Sequence, residues 1–191
     1  LADAGSTYIQ LDDVPIPMLS DPLVQARVKE DGLDPIQLMN DYIDLFNDCL
    51  KDRPDGVTIA VHMCRGNYKG KFLSEGGYET FAEKFFNDLN VDAFFLEYDS
   101  PRSGDFEPLK YVPKDKTVVL GLVSSKTPQM ESQDDLRARI DEAAKFIDLD
   151  QLALSPQCGF ASTVAGNPIT IDDEKAKLAM IVEVADKVWG S

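Results

Sequence analysis

The 191-residue chain carries 34 acidic and 19 basic side chains, a formal net charge of −15 at pH 7, which argues against a nucleic-acid binder with its basic face. Its 43% hydrophobic and 28% charged residues are those of a soluble globular domain, and no apolar run is long enough to cross a bilayer; the expected setting is the cytoplasm, away from any membrane. The three cysteines, Cys49, Cys64 and Cys158, are too few, and odd in number, for a disulfide scaffold.

In chain order, short apolar strands alternate with amphipathic helices. The first strand is Tyr8-Ile9-Gln10-Leu11, ending in Asp12 and Asp13. Pro15, Pro17 and Pro22 break the following loop, and residues 23–28 suit a short helix. Asp34 caps a stronger helix, with Pro35 in its first turn and Ile36, Met39, Ile43, Phe46 and Leu50 at helical spacing. Cys49 shares that helix with Leu38, Tyr42 and Leu45 and is expected in the core. Then come a strand over 57–64, a helix over 77–89 with Phe81, Phe85 and Leu89 on one stripe, and a strand over 91–97. After a polar loop, a strand over 117–123 leads to a helix over 133–147 carrying Leu136, Ile140, Ala144 and Ile147, and to a strand over 151–154. The last helix carries Leu178, Ile181, Val182, Ala185, Val188 and Trp189, opens on a capping box of Thr170 and Asp173, and stops before Gly190. The absence of a linker or repeat makes 1–191 one domain. The β-α alternation predicts parallel strands covered by helices. Five strands make either an open α/β sheet or part of a barrel whose first strands are absent.

The strand over 57–64 carries the chemistry. Side chains alternate along a strand, so Val57, Ile59, Val61 and Met63 share one face and Thr58, Ala60, His62 and Cys64 the other. His62 and Cys64 then point the same way, close enough for both to reach one zinc ion. Asp12, Glu97 and Cys158 also fall at or just past the carboxyl ends of their strands, the edge that holds the chemistry in parallel α/β architectures. Taken singly, three of these features have a structural alternative: the His62–Cys64 pair as structural residues at a strand end, Cys158 as a small buried hydrophobe, and Glu97 as a buried carboxylate paired with Arg102. An anionic substrate would need a local basic patch against the acidic field; Arg65, Lys69, Lys71, Arg102 and Lys126 are the candidates.

The segments "IQLDD" (9–13), "HMCRGN" (62–67), "FFLEYDSPRSGDFEPL" (94–109), "VVLGLVSSK" (118–126) and "LSPQCGFAST" (154–163) occur in this order. Together they closely resemble the C-terminal catalytic half of cobalamin-independent methionine synthases, above all the shorter methionine-synthase-like members. The resemblance covers essentially the whole chain. It implies the last five β/α units of a (β/α)8 TIM barrel, the first three strands being supplied by the rest of the native chain or by an oligomer partner. It also implies zinc held by His62, Cys64, Glu97 and Cys158, an amino-acid thiol (homocysteine) whose amino group meets Asp12, and a pocket segment at Arg102 and Ser103. Asp12 and Glu97 are thus candidate catalytic groups. The synthases place a proton-donating histidine after the penultimate strand; here that stretch is Leu122-Val123-Ser124-Ser125-Lys126, and Lys126 is the candidate donor in its stead.

The implied activity is methyl transfer from a donor such as a methyl-tetrahydrofolate to homocysteine, giving methionine. Two thiolates and a carboxylate make an electron-rich zinc, which lowers the pKa of an incoming thiol while leaving it nucleophilic. Asn67, Arg102, Ser155 and Gln157 are candidates for orienting the ligands. Alternatives are a zinc alkyltransferase acting on another thiol, a zinc-binding fragment or paralogue without turnover, and a structural domain without metal.

Overall fold

A computed structural model describes residues 1–190. Five parallel strands form one sheet in sequential order: β1 (Tyr8–Asp13), β2 (Thr58–Met63), β3 (Ala93–Glu97), β4 (Thr117–Val123) and β5 (Leu152–Pro156). Between β1 and β2 lie three helices, α1 (Pro15–Met18), α2 (Pro22–Glu30) and α3 (Pro35–Leu50); α4 (Ala82–Asp88) precedes β3, α5 (Gln133–Ala143) precedes β5, and α6 (Ile171–Trp189) follows it. Sequential order is what short crossover connections between parallel strands produce.

The helix signals hold locally. Asp34 accepts from the backbone N–H groups of Ile36 and Gln37 at 2.8 and 2.9 Å, and Thr170 and Asp173 form the full capping box of α6, so amide groups that lack a partner at each helix start are satisfied. Helices pack on one face of the sheet, where Ile59, Val61, Met63, Phe94, Leu96, Val118, Leu120 and Leu122 are buried. Phe85, Phe86 and Phe94 meet edge-on or tilted, with ring centroids 5.0–5.2 Å apart, a geometry the ring quadrupoles favour.

The other face corresponds to a barrel interior, and the register arranges it in rows. Asp12, His62, Phe95, Val119 and Ala153 stand side by side across the five strands. One step further toward the carboxyl edge come Glu97, Gly121 and Ser155.

Three sequence expectations are corrected. Cys49 is exposed: it lies on the flank of α3 beside Leu45, itself 56% exposed, while Met39, Ile43 and Leu50 take the core. The expected helix over 77–89 begins only at Ala82, because Gly76 and Tyr78 are drawn out around Arg65, bonding its Nε and Nη1 through a carbonyl and a phenol oxygen. The buried stripe of α6 is Lys177, Met180, Ile181 and Val184, whereas Leu178 and Val182 are exposed. Lys177 takes the central place since its ammonium finds the Gln129 carbonyl and, at 2.8 Å, the Glu131 carboxylate.

Candidate metal and thiol site

β2 delivers His62 from its last turn of pleat and Cys64 just beyond it, while Cys158 arrives from the loop after β5. Their donor atoms converge. Cys64 Sγ and Cys158 Sγ are 3.3 Å apart, and Cys158 Sγ lies 3.7 Å from His62 Nε2. Both cysteines are free thiols. Bonds of about 2.3 Å to sulfur and 2.0 Å to nitrogen place the ligands of a tetrahedral zinc roughly 3.5–3.8 Å apart. Both separations fall within about half an ångström of that spacing, and the donor set, two sulfurs and an imidazole, suits zinc.

The pair of thiols shares its protons unequally. The Cys64 thiol is pulled down to about 4, chiefly by its contact with Cys158, helped by His62 and by the Gly66 N–H at 3.2 Å, against the opposing effect of burial. The Cys158 thiol is pushed up, first by the Cys64 sulfur it faces and then by burial. Cys64 is therefore the one that ionises first.

A cavity of about 660 Å³ opens over the cluster, with Asp12, His62, Cys64, Asn67, Gln157 and Cys158 among its walls. Asp12 is exposed at the end of β1, beside His62 in the register. Its neighbour Asp13 points the other way, into the protein, and accepts from the Ile16 N–H at 3.0 Å.

Glu97 stays outside the group of donor atoms that converge, which among the described residues is His62, Cys64 and Cys158. Its buried carboxylate accepts from the Arg65 N–H at 2.7 Å, pairs with Arg102, and lies 3.5 Å from Lys126 Nζ. Arg102 also binds Asp99 at 2.9 Å, and Ser103 is fully buried away from the cavity wall. The pairing of Glu97 with Arg102, which sequence reasoning held as the alternative, is the one seen here. Of the five candidate cations, Arg65, Arg102 and Lys126 are engaged in this buried cluster, and only Lys69 and Lys71 are exposed.

Sequence reasoning missed Asn167. Its side chain accepts from the Gly70 N–H at 3.3 Å and donates to the carbonyls of Ser125 at 2.8 Å and Gly159 at 3.4 Å, tying together the loops that follow β2, β4 and β5. An Asn beside Pro168 is an ordinary loop signal, and only the meeting of the three loops gives it this role. The same convergence explains Gly70: at φ +76°, a Cβ there would stand 2.6 Å from the Lys126 carbonyl oxygen.

Strand-end thiols and an imidazole on the inner face of a parallel β/α sheet, beneath an open cleft, define a TIM-barrel-type domain with a thiol-rich site. Residues 1–187 match the family described as the catalytic domain of cobalamin-independent synthases, and the chain belongs to that family. It is 46% and 45% identical over 188 residues to the uncharacterised proteins YxjG and YxjH of Bacillus subtilis, an overlap of 98% of this chain and 50% of each relative. The chain thus spans about half the length of these curated relatives. The methionine synthase of Pyrococcus abyssi is 26% identical over 123 residues, 62% of this chain and 36% of that protein. Among solved structures, the putative vitamin-B12-independent methionine synthase of Listeria monocytogenes superimposes with a TM-score of 0.75 at 34% identity, over 100% of this chain and 51% of the other. A B12-independent methionine synthase from Shewanella, in complex with selenomethionine, shares the fold (TM-score 0.69, 22% identity, 98% and 50% of the two chains). The five strands are accordingly part of a TIM-barrel-like domain.

Proposed function

We propose that this chain carries the thiol-activating half of a zinc-dependent methyltransferase that converts homocysteine to methionine, with a methyl-tetrahydrofolate as donor. The observation that carries the proposal is the convergence of His62, Cys64 and Cys158 on one point in the wall of a cavity that also presents Asp12. Zinc bound by those three residues supplies a Lewis acid that lowers the pKa of an incoming thiol. Glu97 is the fourth ligand in the family pattern; here it would have to leave its cations to serve.

The remaining work falls to the protein's own groups. The Asp12 carboxylate receives the ammonium group of the amino acid and so orients its sulfur toward the cluster. His62 supplies an imidazole nitrogen as third donor, adding no negative charge to the two sulfurs. Gln157 and Asn67 line the cleft beside them. The methionine-synthase relatives and the selenomethionine complex of the Shewanella protein support a methionine-related amino acid as ligand.

The test is zinc quantification joined to a homocysteine methylation assay on the full-length protein. We expect about one zinc per chain, lost in Cys158→Ser and His62→Ala together with methionine formation. Full zinc occupancy and turnover in both variants would defeat the assignment.

A further inference from the structure

Lys126 is 4% exposed; its ammonium donates to Gln157 Oε1 at 2.6 Å and Asp99 Oδ2 at 3.3 Å and forms an ion pair with Glu97 Oε1 at 3.5 Å. An ammonium has three N–H donors; two of them are taken up by Gln157 and Asp99, and the Glu97 carboxylate adds an ion pair inside the protein. Lys126 is also absent from the cavity wall. A proton donor needs a proton aimed at the substrate; this one is surrounded by anions and an amide.

The contact with Gln157 decides how that amide is turned. An ammonium can only donate, so the amide oxygen must face Lys126 and the NH2 group must face the other way. There it meets Cys64 Sγ, at 3.9 Å. Lys126 thereby sets a hydrogen-bond donor against the sulfur of a site thiol. It also joins three strand ends, since Glu97 closes β3, Lys126 follows β4 and Gln157 follows β5.

We propose that Lys126 is a positioning residue of the thiol site: it fixes Gln157 against Cys64 and braces Glu97 and Asp99 behind the cleft, and it delivers no proton to the reaction. The inference rests on the metal reading proposed above. Partners of metal ligands of this kind typically change metal affinity about 10–100-fold when removed.

The experiment uses the full-length protein with cobalt(II) in place of zinc, whose visible spectrum reports thiolate coordination and site symmetry without any turnover. Lys126→Met, Gln157→Leu and the double variant are compared with wild type by cobalt titration. We expect each single variant to bind cobalt about 10-fold more weakly or worse, with displaced visible bands. The double variant should resemble the weaker single one, because both substitutions cut the same link. If Lys126→Met does not fold, Gln157→Leu and Lys126→Gln carry the comparison. Wild-type spectrum and affinity in the variants, with turnover lost in the lysine variants, would overturn the positioning role in favour of proton donation. Losses that add in the double variant would overturn the coupling through Gln157. A wild-type protein that takes up no cobalt would instead overturn the metal reading itself, and the positioning role with it.

Discussion

Asp12 and Asp13 are adjacent carboxylates whose surroundings set them apart. Asp12 faces the cleft. Asp13 is 3% exposed, and burial pushes its carboxyl up to about 7, against the lowering effect of the Ile16 N–H and with a small push from Asp12. In the unfolded chain the group has its ordinary value of 3.8. Between roughly pH 4 and pH 7 the folded state therefore binds more protons than the unfolded one, and Asp13 costs stability progressively as pH rises through that window, then no more above it. Asp13→Asn keeps an acceptor for Ile16 and cannot ionise. We expect the melting temperature of the variant relative to wild type to rise from pH 5 to pH 8; a constant difference across that range would contradict the shift. The sequence marked both aspartates as a strand end, but alternation alone could assign only one to the inner face. In the same way it marked His62, Cys64 and Cys158 correctly as neighbours of an edge. It could not decide what Glu97 meets, because Arg102 and Lys126 reach it from two separate loops.

Among the elements, β4 shows how a backbone feature shapes the site. Its pairing with β5 shifts register between Gly121 and Val123, which brings the end of β5 in close. A Cβ at Gly121 would stand 2.8 Å from the Leu96 carbonyl oxygen and 3.1 Å from Gln157 Cα. Both are backbone atoms, one within β3 and one just past the end of β5, and have little room to yield. Gly121→Ala should therefore cost about 1–3 kcal/mol, the usual range for overpacking, and displace Gln157 from Cys64. Chemical denaturation reads the first effect. An unchanged midpoint would show that the two strands separate freely. Elements of this kind are only partly legible in sequence. The α3 and α6 starts were, because Asp34, Thr170 and Asp173 act within one turn of their own helix. The buried stripe of α6 was not, since the site of Lys177 depends on Gln129 and Glu131, which precede α5.

Over the whole molecule, the strand order was legible because the β-α alternation leaves few ways to connect parallel strands. The distribution of charge was not. Arg65, Arg102, Lys126 and Lys177 are drawn into buried pairs with carboxylates, so four of the 19 basic residues are withdrawn from the surface, and the exposed shell is acidic. The two charge populations answer differently to salt. Surface carboxylates repel across distances that ions screen, with a Debye length of about 30 Å at 0.01 M and about 10 Å at 0.1 M. The buried pairs have little ion-accessible space between partners and are screened much less. Mutual repulsion of like charges destabilises a compact state, so screening it should stabilise this one. We expect the melting temperature to rise by a few degrees when sodium chloride is raised from about 0.01 to 0.2 M, most of the change falling below about 0.1 M, where the Debye length shortens fastest. A melting temperature that falls with salt would mean that attractive pairs open to ions outweigh the acidic shell, contrary to the buried arrangement of Glu97, Asp99 and their cations.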